Sequence, residues 1–235
     1  MTADRAADAG GFADRTSSGR RAVDWIIAVV LILFGLAMTG LGGFLVGITD
    51  RELFEELVAE ENFHSDVFTE AELVDLMVAG NWWAGVGVVT AGLGMVLVGA
   101  LFGLGRHRID RLEPGEPAPT FVANALLGAV VTSLTSFVPL SGLIGGGAAG
   151  YLETTDSGSG AIVGGTSGLL VIAPIAIIGL LLMIGFAVEG FVTIGMLLFV
   201  AIIFLLAFAI GLGAAGGAVG AYLRGREGSD ESTDA

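Results

Sequence analysis

The side chains of this chain that could support catalysis or metal binding are few and scattered. Its 235 residues include no Cys and only two His, and every basic residue is Arg. Thiolate metal sites and disulfides are therefore excluded, and no P-loop can supply its lysine. The motifs G-x-S-x-G and H-E-x-x-H do not occur. We predict no catalytic residue, no metal site and no cofactor, and we expect that the protein is not an enzyme.

The two imidazoles, His64 and His107, are separated by an apolar stretch long enough to cross a bilayer. We therefore place them on opposite sides of a membrane, where they cannot share a metal ion. The acidic residues around His64 are suited only to loose cation binding, because the D-x-[DN]-x-[DN]-G loop of a calcium site is missing.

Four hydroxyl residues, Thr132, Ser133, Thr135 and Ser136, precede Pro139 within an apolar stretch. Such hydroxyls either line a neutral pore or donate to the carbonyl one helical turn earlier. We favour the second interpretation, because proline removes a backbone donor and leaves carbonyl groups that need partners.

Small residues at a spacing of four are the most conspicuous pattern in the chain. In lipid, such residues let helix backbones approach closely, so that dispersion forces and weak hydrogen bonds can act. We predict that these residues pack helices within one molecule, or against a second copy or another membrane protein. The candidate residues for helix packing or a re-entrant hairpin are Gly142, Gly146, Gly150, Gly164, Gly168, Gly213, Gly217 and Pro139.

Long apolar segments must position these glycines. The longest uncharged run covers residues 190–223, and 54% of the chain is hydrophobic with a mean hydropathy of +0.86. About 20 apolar residues in a helix cross the hydrocarbon layer of a bilayer. We therefore predict an all-α polytopic transmembrane protein with five to six hydrophobic segments. They are segment 1 (residues 25–46), segment 2 (82–104), segment 3a (121–138), segment 3b (140–152), segment 4 (161–188) and segment 5 (191–223).

Residues 121–152 leave two topologies open. One long kinked helix would give five crossings, whereas a helical hairpin broken at Pro139 would give six. Arg residues collect on the cytoplasmic side of membrane proteins, and Arg224 and Arg226 join the Arg-rich leader only in the hairpin topology. Segment 3b opposes this, because its 13 residues make a helix only about 20 Å long. A short re-entrant segment would reconcile the two.

The polar segments suggest four regions. We predict a disordered cytoplasmic leader (residues 1–24) and a two-helix module (25–117) with an acidic extracytoplasmic cap (49–81) and a linker (105–117). A glycine-rich membrane domain (118–223) and an acidic disordered tail (224–235) follow. Within the cap, Thr49 with Glu52 and Thr69 with Glu72 match the S/T-x-x-E capping box, so each predicts a short acidic amphipathic helix.

Charge limits the partners of the chain. The formal net charge is -14, which opposes binding to nucleic acid. Carboxylate-rich, lysine-free surfaces suit a halophilic cytoplasm, because carboxylates retain water and cations at high salt; the alternative is a generic acidic loop in a chain from a GC-rich genome that favours Arg codons. We expect a multi-pass protein of the cell membrane with a cytoplasmic N-terminus and the lipid bilayer as its main partner.

A weak internal repeat lies in the glycine-rich domain. A shift of 71 places Gly142–Leu152 over residues 213–223, with five of eleven positions identical, including the final Tyr-Leu. The repeat predicts two helical hairpins, one from segments 3a and 3b and one from segments 4 and 5.

The stretch from Asn124 through Gly145-Gly-Gly-Ala-Ala-Gly-Tyr-Leu-Glu to Val163-Gly-Gly-Thr-Ser-Gly-Leu-Leu resembles a family of small haloarchaeal multi-pass membrane proteins, classed as a domain of unknown function. The resemblance covers residues 118–228 and implies a membrane domain with about four hydrophobic segments. It implies no activity and no functional residue. We expect a structural or interaction role in an archaeal cell membrane; the alternatives are a channel or facilitator for a small neutral solute or ion through segments 3b, 4 and 5 and, with the least support, a membrane enzyme.

Overall fold

The computed structural model describes residues 3–60, 67–109, 120–153 and 156–231, and all secondary structure in these ranges is helical. The described ranges form seven helices: α1 (Ala3–Gly47), α2 (Arg51–Glu60), α3 (Glu70–Ile109), α4 (Phe121–Leu134), α5 (Ser141–Glu153), α6 (Ser157–Val188) and α7 (Val192–Glu231). Four of them contain stretches long and apolar enough to cross a membrane: Ala22–Gly47, Glu70–Gly105, Ser157–Val188 and Val192–Arg226. Many large apolar side chains on these helices are exposed, as expected where the solvent is lipid. The protein is therefore an integral membrane protein.

The two outer helices extend into the polar ends of the sequence. Helix α1 begins at Ala3 and α7 continues to Glu231, within the segments for which a disordered leader and tail stay a prediction. Helix nucleation is the costly step and each later residue adds its own hydrogen bond, so an apolar helix extends readily into its flanks. The leader is also rich in Ala, the residue with the highest helix propensity.

The acidic cap is built differently from the prediction. The expected second short helix is the beginning of α3, which runs without a break from Glu70 into the apolar segment. The capping box at Thr69 and Glu72 is confirmed, because Thr69 N donates to Glu72 Oε2 at 2.8 Å and Glu72 N donates to Thr69 Oγ1 at 3.3 Å. Residues 110–119, which include most of the predicted linker, lie outside the described residues.

The box predicted at Thr49 and Glu52 is wrong. Asp50 caps α2, because its Oδ1 accepts from Glu52 N at 3.1 Å. Thr49 Oγ1 is occupied elsewhere: it donates to Leu45 O at 2.9 Å and accepts from Asn81 Nδ2 at 2.7 Å. Thr49, just beyond the end of α1, therefore links that helix to α3 rather than beginning α2.

The predicted segments 3a and 3b are two short helices, α4 and α5, joined by residues 135–140. Helix α4 ends at Leu134 rather than at 138, and Pro139 lies in the connecting turn, where it is followed by Leu140 with a φ of 68°. Gly128 lies beside Gly145 and Ala149, and Asn124 lies beside Glu153, so the two helices run antiparallel. Residues 121–152 are thus a helical hairpin and not one kinked helix.

The tip of the hairpin lies level with the middle of its neighbours. Gly142, just after the tip, contacts Leu212, close to residue 209 at the midpoint of the span Val192–Arg226. On the other arm, Gly128 of α4 lies beside Ser167, near the middle of the span Ser157–Val188. The hairpin therefore reaches about halfway along α6 and α7.

Helix contacts give the molecule two distinct ends. One end, which we call the mouth end, is where the α4–α5 hairpin opens. There Thr120 bonds to Glu153, and Arg224 bonds to the end of α5. At the cap end, Arg51 and Glu189 line one cleft, and the ring of Phe68 makes an edge contact with Phe191 at 6.4 Å. The α3 helix packs antiparallel against both α1 and α6, and so connects the first half of the chain to the second.

Candidate functional site

The predicted glycines lie along one contact among α5, α6 and α7, which we call the glycine seam. On α7, Gly213 and Gly217 lie between the two other helices. A Cβ on Gly146 would meet the carbonyl oxygen of Gly213, and a Cβ on Gly164 would meet that same oxygen from the α6 side. Backbones this close leave space only for hydrogen as a side chain, and Gly146 and Gly164 are buried.

The remaining predicted residues extend the seam in both directions. Gly150 faces the carbonyl of Gly217, and Gly168 faces the carbonyl of Ala209. Gly142 is looser, because its nearest neighbour would be Leu212 Cβ at 3.3 Å. Pro139 does not join the seam; it lies in the turn between α4 and α5. The structure thus brings the seven predicted glycines together and separates them from the proline.

The contact between α5 and α7 is reciprocal. The two helices run parallel, and Gly146 and Gly150 of α5 face carbonyls of α7. In return, Gly216 and Gly220 of α7 face the carbonyls of Leu143 and Gly147 of α5. If each α5 residue is replaced by the residue 70 positions later, and each α7 residue by the one 70 positions earlier, the first pair of contacts becomes the second pair. This offset of 70 is close to the shift of 71 found in the sequence. Gly216 and Gly220 were absent from the predicted set, although their spacing of four was the available signal.

A second group of small residues fastens α4 to the seam. A Cβ on Gly128 would lie 2.7 Å from Gly145 O, 2.7 Å from Ser167 Oγ and 2.8 Å from Ala149 Cβ. Ser167 is fully buried, and its hydroxyl has no hydrogen-bond partner among the described residues. Because it points at the Gly128 backbone, it has at most a weak contact with the Cα hydrogens there. Sequence reasoning missed Gly128 and Ser167, because each stands outside a longer spacing pattern.

The hydroxyls before Pro139 satisfy the backbone of their own helix. Thr132, Ser133 and Thr135 donate to the carbonyls four residues earlier, at 2.9, 2.9 and 2.8 Å. This is the second of the two interpretations weighed from the sequence. These three groups therefore close the end of α4 and present no row of donors to a pore.

The mouth of the hairpin is held by polar contacts. Glu153 Oε2 accepts from Asn124 Nδ2 at 2.6 Å and from Thr120 Oγ1 at 3.1 Å, which joins the outer ends of α4 and α5. Arg224 Nη1 donates to the carbonyls of Tyr151 and Leu152, both at 2.9 Å. A cation bonded to the last carbonyls of a helix satisfies orphan acceptors and complements the helix dipole. Arg224 therefore ties α7 to the C-terminus of α5.

The cap end carries a cluster of exposed charges. Arg51 pairs with Glu55 and with Asp75, each at 2.8 Å, and so joins α2 to α3. The hydrogen bond to Glu55 contributes most to raising the pKa of Arg51, followed by the bond to Asp75. Surface pairs of this kind contribute little to stability. Four glutamates of α2 remain exposed, namely Glu52, Glu55, Glu56 and Glu60.

Two clefts accompany these contacts, one at each end of the described structure. One is a groove of about 610 Å³ between α5 and α7, lined almost wholly by apolar atoms. The other, of about 410 Å³, is lined by polar and aromatic residues of the cap end, among them Arg51, Asp75, Trp83 and Glu189. Within the described ranges, no three His, Cys, Asp or Glu residues lie close enough to hold a metal ion. His64 lies outside those ranges.

Comparison with known proteins gives a family match over the part of the chain that contains the glycine seam. Residues 122–223 match the model of a family of unknown function, DUF5518. This part of the chain is similar to that family. The stretch similar to DUF5518 begins one residue into α4 and ends within α7, so it contains the whole glycine seam, whereas α1 to α3 lie outside it. No curated protein and no solved structure matches the chain.

Proposed function

We propose that the protein has a structural or interaction role in an archaeal cell membrane, as a close-packed helical bundle, and that it is neither an enzyme nor a transporter. The observation that carries this proposal is the glycine seam. Its backbones touch along α5, α6 and α7, the segments through which a pore was the alternative. Coupled transporters also depend on ionisable groups inside the membrane. Between Ser157 and Val188 this chain has none.

The topology that we propose has four crossings and one re-entrant hairpin. The open end of the hairpin lies beside Arg224, so the hairpin enters and leaves on the side where α7 ends. The Arg-rich leader and the Arg residues that follow the apolar part of α3 (Arg106, Arg108 and Arg111) then share that side with Arg224 and Arg226, which the positive-inside rule assigns to the cytoplasm. The cap end faces outward, and the exposed glutamates of α2 form the surface that it offers to partners. The absence of Lys and the acidic composition support a halophilic origin.

A packing role and a pore respond differently to substitution in the seam. A Cβ on Gly217 would lie 2.9 Å from Gly160 C and 3.0 Å from Gly164 Cα, both backbone atoms. We expect Gly217→Ala to destabilise the bundle by about 1–3 kcal/mol, the usual effect of overpacking. Gly211→Ala is the matched control on α7, because nothing lies within 4 Å of its Cβ position. The measurement is thermal unfolding of the detergent-purified protein.

The same protein preparations, reconstituted into vesicles, test whether the protein is a channel. Vesicles containing the wild-type protein should shrink and refill in glycerol at the rate of empty vesicles in stopped-flow light scattering. Glycerol flux in the wild type that disappears in Gly217→Ala at an unchanged unfolding temperature would overturn the packing role in favour of a facilitator.

A further inference from the structure

The apolar groove between α5 and α7 faces away from the glycine seam and opens to the surroundings of the bundle. Its walls include Ile144, Leu152, Val219 and Leu223, whose side chains are 45%, 46%, 57% and 50% exposed. Its floor is formed by Gly147, Gly216 and Gly220, where the two backbones meet. In a bilayer such a groove is filled by a hydrocarbon chain or by another helix, because a void would forfeit dispersion contacts.

The length of the groove fits one leaflet. Along α5 it runs from Leu143 to Leu152, about 14 Å at 1.5 Å per residue. Half of a hydrocarbon core is about 15 Å deep. The groove stops inward where the hairpin turns, at the mid-depth of α7. A spanning helix of a second copy would need a groove twice as long, whereas one acyl chain of a phospholipid needs only this length.

The outer end of the groove carries a cation. Arg224 lies one turn beyond Gly220, and its Nη1 is fixed on the carbonyls of Tyr151 and Leu152. The other two guanidinium nitrogens, Nε and Nη2, make no hydrogen bond within the described part of the chain, and the residue is exposed. Tyr151 and Tyr222 are 38% and 58% exposed at this level, as befits aromatic residues at a membrane interface.

From these observations we infer that the α5–α7 groove is a binding site for one anionic phospholipid. One acyl chain lies in the groove, and the headgroup phosphate accepts hydrogen bonds from Nε and Nη2 of Arg224. A planar guanidinium held by its other nitrogen is suited to such a phosphate, because two parallel N–H bonds can form without reorganising the side chain. The site goes beyond the packing role and does not depend on any protein partner.

Native mass spectrometry tests the site on the full chain. The protein is reconstituted in vesicles of equal parts phosphatidylglycerol and phosphatidylcholine, extracted in mild detergent, and its lipid adducts are identified by mass. We expect the wild type to retain one phosphatidylglycerol. Arg224→Gln should lower that retention about fivefold and remove the preference over phosphatidylcholine. Val219→Trp should displace both lipids, because the indole fills the groove.

Matched variants control for charge and bulk. Arg226→Gln removes a positive charge from the same helix end, and Val200→Trp adds an indole to an exposed position of α7 outside the groove. Both should retain the lipid as the wild type does. The proposal is overturned if Arg224→Gln and Val219→Trp both keep the wild-type adduct, or if the spectrum shows a lipid-free dimer that Val219→Trp dissociates. Either variant alone decides the question if the other fails to fold, and both outcomes are independent of the Gly217→Ala result.

Discussion

At the level of single residues, the separation of α5, α6 and α7 depends on side chains that are absent. A Cβ on Gly213 or on Gly217 would strike the backbone of α6, and on the α5 side the carbonyls of these two residues lie against other glycines. In water this would be an inefficient use of a core position, since a glycine buries little apolar surface. In lipid the apolar surface gains nothing by burial, and close backbone contact becomes the main attraction. The abundance of glycine, 39 of 235 residues, follows from the fact that lipid rather than water surrounds the helices.

One residue-scale prediction concerns the start of α6. Asp156 caps this helix by accepting from Ser159 N at 2.8 Å, and this bond to the backbone is the main reason why its pKa lies below the ordinary 3.8. A carboxylate with a lowered folded-state pKa stabilises the fold above its unfolded pKa and loses that contribution as the pH falls through the folded value. We therefore expect the cap to weaken as the pH falls below about 3.8.

The comparison variant for that prediction is Asp156→Asn, which caps a helix without titrating. Thermal unfolding of both proteins between pH 3 and pH 7 gives a difference in unfolding temperature that isolates this group from the other carboxylates. The difference should be flat near neutral pH and change only in the acid range. A difference that stays constant down to pH 3 would contradict the assignment.

At the level of elements, the sequence predicted most helices and missed how some begin and join. Hydropathy and the Thr69–Glu72 box are local signals, so the apolar segments and that cap were predictable. The continuity of the second cap helix with the apolar part of α3 was missed, because a change in composition was taken for a helix boundary. The cap of α2 was misassigned because Asp50 and Thr49 are both capping residues. Only the structure shows that Asn81 and Leu45 engage Thr49.

The pairing of α5 with α7 was only partly predictable. The shift of 71 in the sequence suggested related segments, and both carried glycines at a spacing of four. The parallel contact and its register depend on three helices meeting at once, which spacing along one helix does not encode. Gly128 and Ser167 were missed because each stands outside a longer spacing pattern, and their partners are more than ten residues away along the chain.

The half-length hairpin makes an element-scale prediction. The chain has no native Cys, so a single introduced thiol reports one position. A cysteine at Ser136, which is exposed near the hairpin tip, should react with a membrane-impermeant maleimide from neither side of a sealed vesicle. The reason is that the tip lies at mid-depth, away from both aqueous phases. Labelling after detergent is added confirms that the thiol is intact.

Two exposed positions calibrate that measurement. Ser157→Cys at the mouth end should be labelled from one side only, and Glu56→Cys at the cap end from the other. Labelling of residue 136 as fast as residue 56, and from the same side, would mean that the hairpin crosses the membrane.

At the level of the whole molecule, α3 holds the first half of the chain against the second. Gly80 lies beside Phe186, Gly185 beside the ring of Trp83, and Gly87 beside Ile178. A cluster of buried apolar side chains also joins α1, α3 and α4, and Ile27, Phe102 and Leu126 belong to it. The part similar to DUF5518 is therefore in intimate contact with the added helices.

This interface yields a prediction for the intact protein. A Cβ on Gly87 would lie 2.9 Å from Ile178 Cα, whereas nothing lies within 4 Å of the Cβ position of Gly94 on the same helix. With a protease site placed in the linker at residues 110–119, the two halves of the wild type should co-purify after cleavage. Gly87→Ala should separate them, because overpacking against a backbone atom costs about 1–3 kcal/mol.

Gly94→Ala supplies the control and should leave the cleaved halves together, since alanine also favours the helix. Halves that remain together in Gly87→Ala would show that α1 and α4 suffice to join them.

The parallel contact of α5 with α7 has a consequence for biosynthesis. A ribosome delivers α4 and α5 long before it finishes α7, so the short hairpin emerges while half of its eventual lining is still unmade. Until the forty residues of α7 arrive, its turn and its bare glycine backbone must be sheltered by the insertion machinery or by α6 alone. Chains that stop before α7 would leave this hairpin without its parallel partner, so the synthesis of α7 is the step that completes its packing.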